Sequence, residues 1–245
     1  MPNFSLFLPM QLNDCSLQHD RIDIWEFPLH TLNKQHEPLL NDKERERATR
    51  FHFDRHQRRF TIARSTLRLI LARYTQQNPQ DIEFTYNKYG KPRVANVEIE
   101  FNLSHSGEWA ILAIGTLPLG VDLEFFSARP YHGIANSLFS EQEQSALSRL
   151  PKKIMPLAFF NIWVQKEAFI KACGMGLAYP TQQFTVSELP NKNQTIFDPI
   201  HNKSWKMLSF MPQTNCSAAL CYDPSISVLR KITIHQHTGL TDETI

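Results

Sequence analysis

Four cysteines are scattered through 245 residues without a Cys-x-x-Cys pair and without histidines at zinc-type spacing. A zinc knot or a disulfide framework is therefore disfavoured, and Cys15, Cys173, Cys216 and Cys221 read as small buried thiols with nothing to suggest secretion. Charge of one sign is also lacking. The net charge is only +2, so no global field selects nucleic acid or an acidic membrane, and partners must be read from local patches. No apolar run approaches membrane-spanning length, and Met1 to Met10, apolar in places, lack a basic start and a small-residue cleavage site. A cytosolic protein is the simplest reading. Neither a P-loop nor a Gly-x-Gly-x-x-Gly fingerprint is present, so no glycine cradle announces a nucleotide.

What the chain does have is 42% hydrophobic residues, enough for a real core in one large domain or two small ones. Ile22 to Phe27 alternates as a strand does. Asn41 with Glu44, and Asp54 with Gln57, have capping-box spacing, which predicts a short helix leading into a longer one. On the longer one Phe60, Ala63, Leu67, Ile70, Leu71 and Tyr74 form an apolar stripe that leaves Arg58, Arg59, Arg64, Arg68 and Arg73 largely off it. Most of these arginines read as a solvated face linked to Glu44, Glu46 and Asp54. One or two are candidates to grip a phosphate, because the guanidinium fork matches phosphate oxygens.

Strands are predicted at Ile82–Tyr86, Ile99–Leu103 and Trp109–Ile114, with a turn over Asn87–Pro92 and a compact polar link over Asn102–Gly107. A lone histidine such as His105 reads as structural in the absence of further context. Ser140 with Glu143 caps a helix that stops at Pro151, and Pro156 opens a second one that ends at Gly174. Further strands are predicted at Gln183–Ser187, Trp205–Phe210, Ser217–Tyr222 and Ser227–Ile234, followed by a loose tail. Each half reads as a helix followed by about three strands, which makes the class α+β.

Two short segments carry chemistry. In Gly120-Val121-Asp122-Leu123-Glu124 the acids alternate with apolar residues, so a strand directs both carboxylates to one face. In the helix Trp163 to Lys171, Glu167 and Lys171 are four apart and share a face. Three carboxylates beside a lysine suit Mg²⁺ holding a phosphate-bearing substrate, since that ion prefers hard oxygens shared among carboxylate, water and phosphate. Taken singly, each is as well read as a strand edge or as a surface ion pair worth a few tenths of a kcal/mol.

Taken in order, Phe101-Asn102-Leu103-Ser104-His105-Ser106-Gly107, Gly120-Val121-Asp122-Leu123-Glu124 and Trp163-x-x-Lys166-Glu167-Ala168-x-x-Lys171-x-x-Gly174-x-Gly176-Leu177 resemble a known signature. It is that of the larger, pseudo-dimeric, surfactin-synthetase-activating class of 4′-phosphopantetheinyl transferases. Tyr89-Gly90-Lys91-Pro92 and the arginine-rich helix extend the resemblance over most of the chain from Asn41 to Leu189. It implies two similar α+β halves related by a pseudo-twofold, residues 1–118 and 119–245, with coenzyme A between them. It also implies Mg²⁺-dependent transfer of the phosphopantetheine arm to a serine of an acyl or peptidyl carrier protein, as a holo-acyl-carrier-protein synthase does, with release of adenosine 3′,5′-bisphosphate. Asp122, Glu124 and Glu167 match the metal-binding acids, and Lys171 the lysine beside the diphosphate. Ser104 and His105 match a pair at the adenosine 3′-phosphate end, Lys91 a lysine of the same cleft, and Arg59 or Arg64 falls near the 3′-phosphate arginines. Glu167 is left as metal ligand, as base toward the carrier serine, or as both.

The carrier partner is expected to be acidic, and a monomer is the expected state because the resemblance implies a site completed within one chain. No nucleic-acid or membrane partner is expected. The other readings of the same residues are a Mg²⁺-dependent phosphoanhydride hydrolase, in which water attacks, and a nucleic-acid-binding module built on Arg58–Arg73. The near-neutral charge and the carboxylates weigh against the second.

Overall fold

The computed structural model describes residues 15–30, 32, 36–128, 131–190 and 193–234. Met1–Met10 and the tail expected after Ile234 lie outside these. In chain order the elements are β1 (Arg21–Pro28), α1 (Asp42–Thr49), α2 (Asp54–Thr75), β2 (Phe84–Tyr86), β3 (Pro92–Val94), β4 (Glu100–Ser106) and β5 (Trp109–Gly115). There follow β6 (Leu119–Phe125), α3 (Tyr131–Leu138), α4 (Glu141–Arg149), α5 (Met155–Ala172), β7 (Asn193–Asp198), β8 (Lys203–Phe210), β9 (Cys216–Tyr222) and β10 (Val228–Thr233).

One sheet has the order β10-β1-β5-β4 and another β6-β9-β8-β7, while β2 and β3 form a small hairpin. The halves repeat one topology. In each, a first strand (β1 or β6) precedes the long helix (α2 or α5), and an antiparallel pair then returns with its second member beside the first strand. The chain passes between the sheets from Gly115 to Leu119, and β10 carries it back to lie parallel to β1.

Period-2 alternation accounts for the layers. On β1 and β5, Trp25, Phe27, Ala110, Leu112 and Ile114 face α2, while Ile22, Ile24, Ile111 and Ala113 face the second sheet. Val121, Leu123, Ala218 and Leu220 answer from the other side, and Met207, Ala219 and Cys221 turn toward α5. Helix, sheet, sheet and helix therefore stack with three apolar layers between them.

Two of the predicted capping boxes form, at Asn41–Glu44 and at Ser140–Glu143. The one expected at Asp54–Gln57 does not: Phe53 is the N-cap, with no side-chain bond, and Asp54 already lies in the first turn of α2. Gln183–Ser187 is not a strand. Its backbone is taken up by helix side chains instead: the Val186 N–H donates to Glu143 Oε1 at 2.7 Å, and Lys166 Nζ donates to the carbonyls of Thr181 and Phe184. The edge strand is β7, ten residues further on. Asn102–Gly107 is no link either, because β4 runs on to Ser106 and only Gly107–Glu108 turn. Arg68 is fully buried rather than off the core, with Glu44 and the carbonyls of Pro79 and Ile82 around it. Cys216 and Cys221 are buried, whereas Cys15 and Cys173 are only partly so; all four are free thiols. No helix among the described residues is long and apolar enough to cross a membrane.

Candidate active site

β4 and β6 belong to different sheets but run side by side, and side chains rather than a backbone ladder join them. Asn102, Ser104 and Ser106 alternate along β4 and so share a face. Asn102 Oδ1 accepts from the Val121 N–H at 2.8 Å, and Ser104 Oγ donates to Asp122 Oδ1 at 2.6 Å. Ser106 Oγ donates to Glu124 Oε2 at 2.8 Å and accepts from the Phe125 N–H at 3.1 Å. The seam thus fixes both acids of β6.

α5 closes the other side. Gly120 has no side chain to hold it off: a Cβ there would stand 2.1 Å from the Ala168 carbonyl oxygen and 2.3 Å from the Ala172 nitrogen. Strand and helix therefore meet backbone to backbone. That approach brings Lys171 Nζ to 2.5 Å from Asp122 Oδ1, with Ser104 Oγ at 3.1 Å and the Val121 carbonyl at 3.3 Å. Asp122 is buried, and its Oδ2 has no hydrogen-bond partner among the described residues.

Glu167 lies one helical turn before Lys171, on the same face. Burial first, and then the negative charges of Asp122 and Glu124, push its carboxyl up to about 7, against the opposing pull of Lys171. The three acids feel one another. Even so, among the described residues no three His, Cys, Asp or Glu side chains converge closely enough to form a metal shell by themselves. Asp122 Oδ1 is engaged by the Lys171 ammonium and the Ser104 hydroxyl, and Glu124 Oε2 by Ser106.

His105 lies between the two serines and, by strand alternation, on the opposite face. Desolvation by its neighbours, and then the cations Lys171 and Arg59, hold its pKa below the ordinary histidine value. Arg59 reaches Glu108, on the turn after β4, at 2.7 Å, as Arg58 also does. Arg64 stands apart. Five residues along α2 turns it by about 140° from Arg59, and it pairs with Glu44 while lying 3.9 Å over the Phe84 ring. Lys91 is at the other end of the seam, where Nζ donates to the carbonyls of Leu119 at 3.0 Å and Ala172 at 3.3 Å and pairs with Glu100 at 3.4 Å. Burial lowers its pKa despite Glu100.

Of the residues predicted from sequence, Ser104, Asp122, Glu124, Glu167 and Lys171 therefore stand together. His105 and Arg59 adjoin them, Lys91 ties the end of α5 to the start of β6, and Arg64 is not brought to them. Asn102 and Ser106 were missed, although their spacing with Ser104 is that of one strand face. Gly120, a glycine inside a strand pattern, was a signal of close backbone approach. A cavity of about 450 Å³ lies elsewhere, between α1 and the first turns of α2, and mixes Glu37 and Asp54 with Arg45 and Arg55.

The arrangement offers hard carboxylate oxygens, one of them buried without a partner, beside a lysine. Such a donor set fits an oxygen-seeking dication, and the lysine fits a phosphate. Comparison with known proteins agrees with the motif order. Residues 118–221 match the family model of the 4′-phosphopantetheinyl transferase superfamily, and residues 25–116 match that of the 4′-phosphopantetheinyl transferase N-terminal region. The chain is 36% identical over 219 residues to the 4′-phosphopantetheinyl transferase HetI of Nostoc sp., covering 84% of this chain and 89% of that one. It is 33% identical over 156 residues to the transferase Sfp of Bacillus subtilis, covering 63% and 69%. With the transferase ffp of Bacillus subtilis it shares 31% identity over 185 residues, covering 75% and 82%.

Proposed function

The chain belongs to the 4′-phosphopantetheinyl transferase superfamily, and on that premise we propose that it moves the phosphopantetheine group of coenzyme A onto a serine of an acyl or peptidyl carrier protein. The observation that carries the reading is the seam itself: Asp122, with one oxygen on Lys171 and the other buried and unpartnered among the described residues. Asp122, Glu124 and Glu167 would hold Mg²⁺. Among the described residues no complete protein shell forms, which suits that ion, since it keeps waters and takes phosphate oxygens rather than an all-protein cage. When bound, it would neutralise charge that develops on the coenzyme's diphosphate oxygens.

The chain's own groups then divide the work. The serine oxygen of the carrier bonds to the phosphorus that bears pantetheine, and the bond from that phosphorus to the bridging oxygen breaks, leaving adenosine 3′,5′-bisphosphate. Lys171 stabilises the leaving phosphate and can protonate it. The serine proton goes to Glu167 directly or through water; a carboxylate that also binds the metal is a weaker base, so metal binding is its first role. Ser104, His105 and Arg59 would hold the phosphates toward the adenosine end, with Lys91 in the same cleft. One chain supplies all these groups, so a monomer suffices, and an acidic carrier suits the basic residues at the cleft.

The experiment mixes the protein with coenzyme A, Mg²⁺ and an apo carrier protein, beside a copy whose acceptor serine is alanine, and reads intact masses. A gain of one phosphopantetheine group on the serine form alone supports the reading. Coenzyme cleavage with no gain on several carrier types would replace it with a hydrolase.

A further inference from the structure

Lys166 immediately precedes Glu167 but does not face the seam. Its position on α5 is turned by about 100° from Glu167 and about 140° from Lys171, and it points to the far flank of the helix. There it is 3% exposed and surrounded by oxygen: Glu143 Oε2 at 2.9 Å, the Thr181 carbonyl at 2.7 Å and the Phe184 carbonyl at 2.5 Å, with the Phe184 ring 4.1 Å away. Glu143 is as fully engaged. Its Oε1 accepts from the Val186 N–H and its Oε2 from the Ser140 N–H, each at 2.7 Å, so the residue that caps α4 also anchors the segment after α5. A buried ion pair of this kind gives little net stability compared with an apolar pair, whereas directional bonds fix orientation.

We infer that Lys166 and Glu143 are positioning residues that set the rotation of α5 about its own axis, and with it the reach of Glu167 and Lys171 toward Asp122. The helix packs its apolar side chains into the core of the second half, and Asn161 and Gln165 donate to the Ser187 carbonyl at 2.9 and 2.7 Å. At Gly120 the backbone of β6 limits how far α5 sits from the second sheet. The Lys166 ammonium, bonded to α4 and to both ends of the 181–184 turn, adds to that packing a directional constraint on rotation one residue from Glu167. A roll of about 10° would move a side-chain tip about 5–6 Å from the axis by roughly 1 Å. A displacement of that size at reacting groups can cost on the order of 100-fold in rate. The catalytic consequence rests on the transferase reading; the geometric one does not.

The test is Lys166→Met with Glu143→Leu, which removes both charges together and so avoids the stranded carboxylate that Lys166→Met alone would leave. Lys166→Met with Glu143→Gln, which also removes both charges but keeps an amide oxygen at the cap of α4, serves as a second and milder variant should the first not fold. The expected crystal structure shows α5 rolled and Lys171 drawn off Asp122, with a melting temperature close to the parent's, because replacing a whole buried pair is nearly neutral. In the transfer assay kcat falls by roughly 10- to 100-fold while KM for coenzyme A changes little. Retention of the parent's Lys171–Asp122 contact in the variants that fold, or parental kcat in them, overturns the inference. If the parent protein itself transfers nothing, the functional reading fails, and the crystallographic comparison still decides whether the pair positions α5.

Discussion

Gly120→Ala adds a single methyl carbon at the tightest contact in the site. Built on the existing backbone, that carbon stands 2.1 Å from the Ala168 oxygen, 2.3 Å from the Ala172 nitrogen and 2.9 Å from the Lys171 carbonyl carbon. Ordinary contact is about 3.5 Å or more, so α5 and β6 must separate by about 1 Å or more. All three opposing atoms are backbone, and no change of rotamer relieves them. An extra methylene forced into a packed core costs about 1–3 kcal/mol, and this one belongs at the upper end because a whole helix has to move. At about 2–4 °C per kcal/mol for a chain of this size, the melting temperature should fall by about 6–12 °C. Activity should suffer more, since the same separation pulls Lys171 from its 2.5 Å contact with Asp122, and about 1 Å of misplacement can cost on the order of 100-fold. Calorimetry and the carrier-modification assay read the two effects. Gly133→Ala is the control: nothing lies within 4 Å of a Cβ at Gly133, inside α3, so it should be neutral or stabilising by up to about 1 kcal/mol. Parental stability and turnover in Gly120→Ala would refute the claim that glycine there sets the distance between strand and helix.

Glu167 gives a pH prediction. Its carboxyl is raised from 4.5 to about 7 in the fold, so between those values the folded state holds a proton that the unfolded chain has lost, and stability falls as pH rises. The cost is absent below pH ~4.5 and complete above pH ~7, at roughly 3 kcal/mol; denaturant titrations of metal-free Glu167→Gln should show that gain at pH 8 and little of it at pH 5. Asp122→Ala should abolish transfer and retain the fold by circular dichroism, and an active variant would sink the metal assignment. Arg59→Ala should raise KM for coenzyme A but not for the form lacking the 3′-phosphate, whereas Arg64→Ala should leave both unchanged; equal effects would show that the adjacency of Arg59 and His105 has no bearing on binding. Glu44→Ala strands the fully buried Arg68, which should cost about 3–5 kcal/mol in urea unfolding, and a loss below about 1 kcal/mol would contradict the charge burial.

What the sequence disclosed is what physics makes local. The Asn41–Glu44 and Ser140–Glu143 boxes join neighbours, and the nearly unbroken runs of apolar and small residues in β5 and β9 follow from burial on both faces, so each is visible in a short window. Asp54–Gln57 has the same spacing and fails because the extended residue that starts the helix is Phe53; spacing alone does not say which residue leaves the helical region first. The seam was legible in its acids and opaque in its partners. Asn102 and Ser106 read as parts of a compact polar link until β6 is laid beside them, and Ser104 is picked out only through the resemblance; the two strands are brought together by the packing of two sheets, which no window contains. The same limit hid β7, a polar edge strand that needs only one neighbour, and made Gln183–Ser187 look like one, since Glu143 and Lys166 satisfy its backbone from a distance.

The repeated topology allows one acid to be weighed against its counterpart. β1 and β6 are the first strands of their halves, and each turns a buried aspartate toward its long helix: Asp23 toward α2 and Asp122 toward α5. Asp23 is saturated. Tyr74 from α2 donates to it at 2.7 Å, Arg230 grips both oxygens at 2.8 and 2.5 Å, and Arg21 lies at 3.0 Å. Asp122 receives Lys171 and Ser104 on one oxygen, and the other is buried without a partner among the described residues, with Glu167 nearby at a raised pKa. An unsatisfied buried carboxylate oxygen costs about 1–3 kcal/mol or more, and the first sheet, which β10 joins, shows that this fold can supply arginine and tyrosine to satisfy one. On the corresponding strand of the second sheet, at a different rung of its ladder, Asp122 Oδ2 has no partner among the described residues, and that is the observation the proposed metal ion would answer.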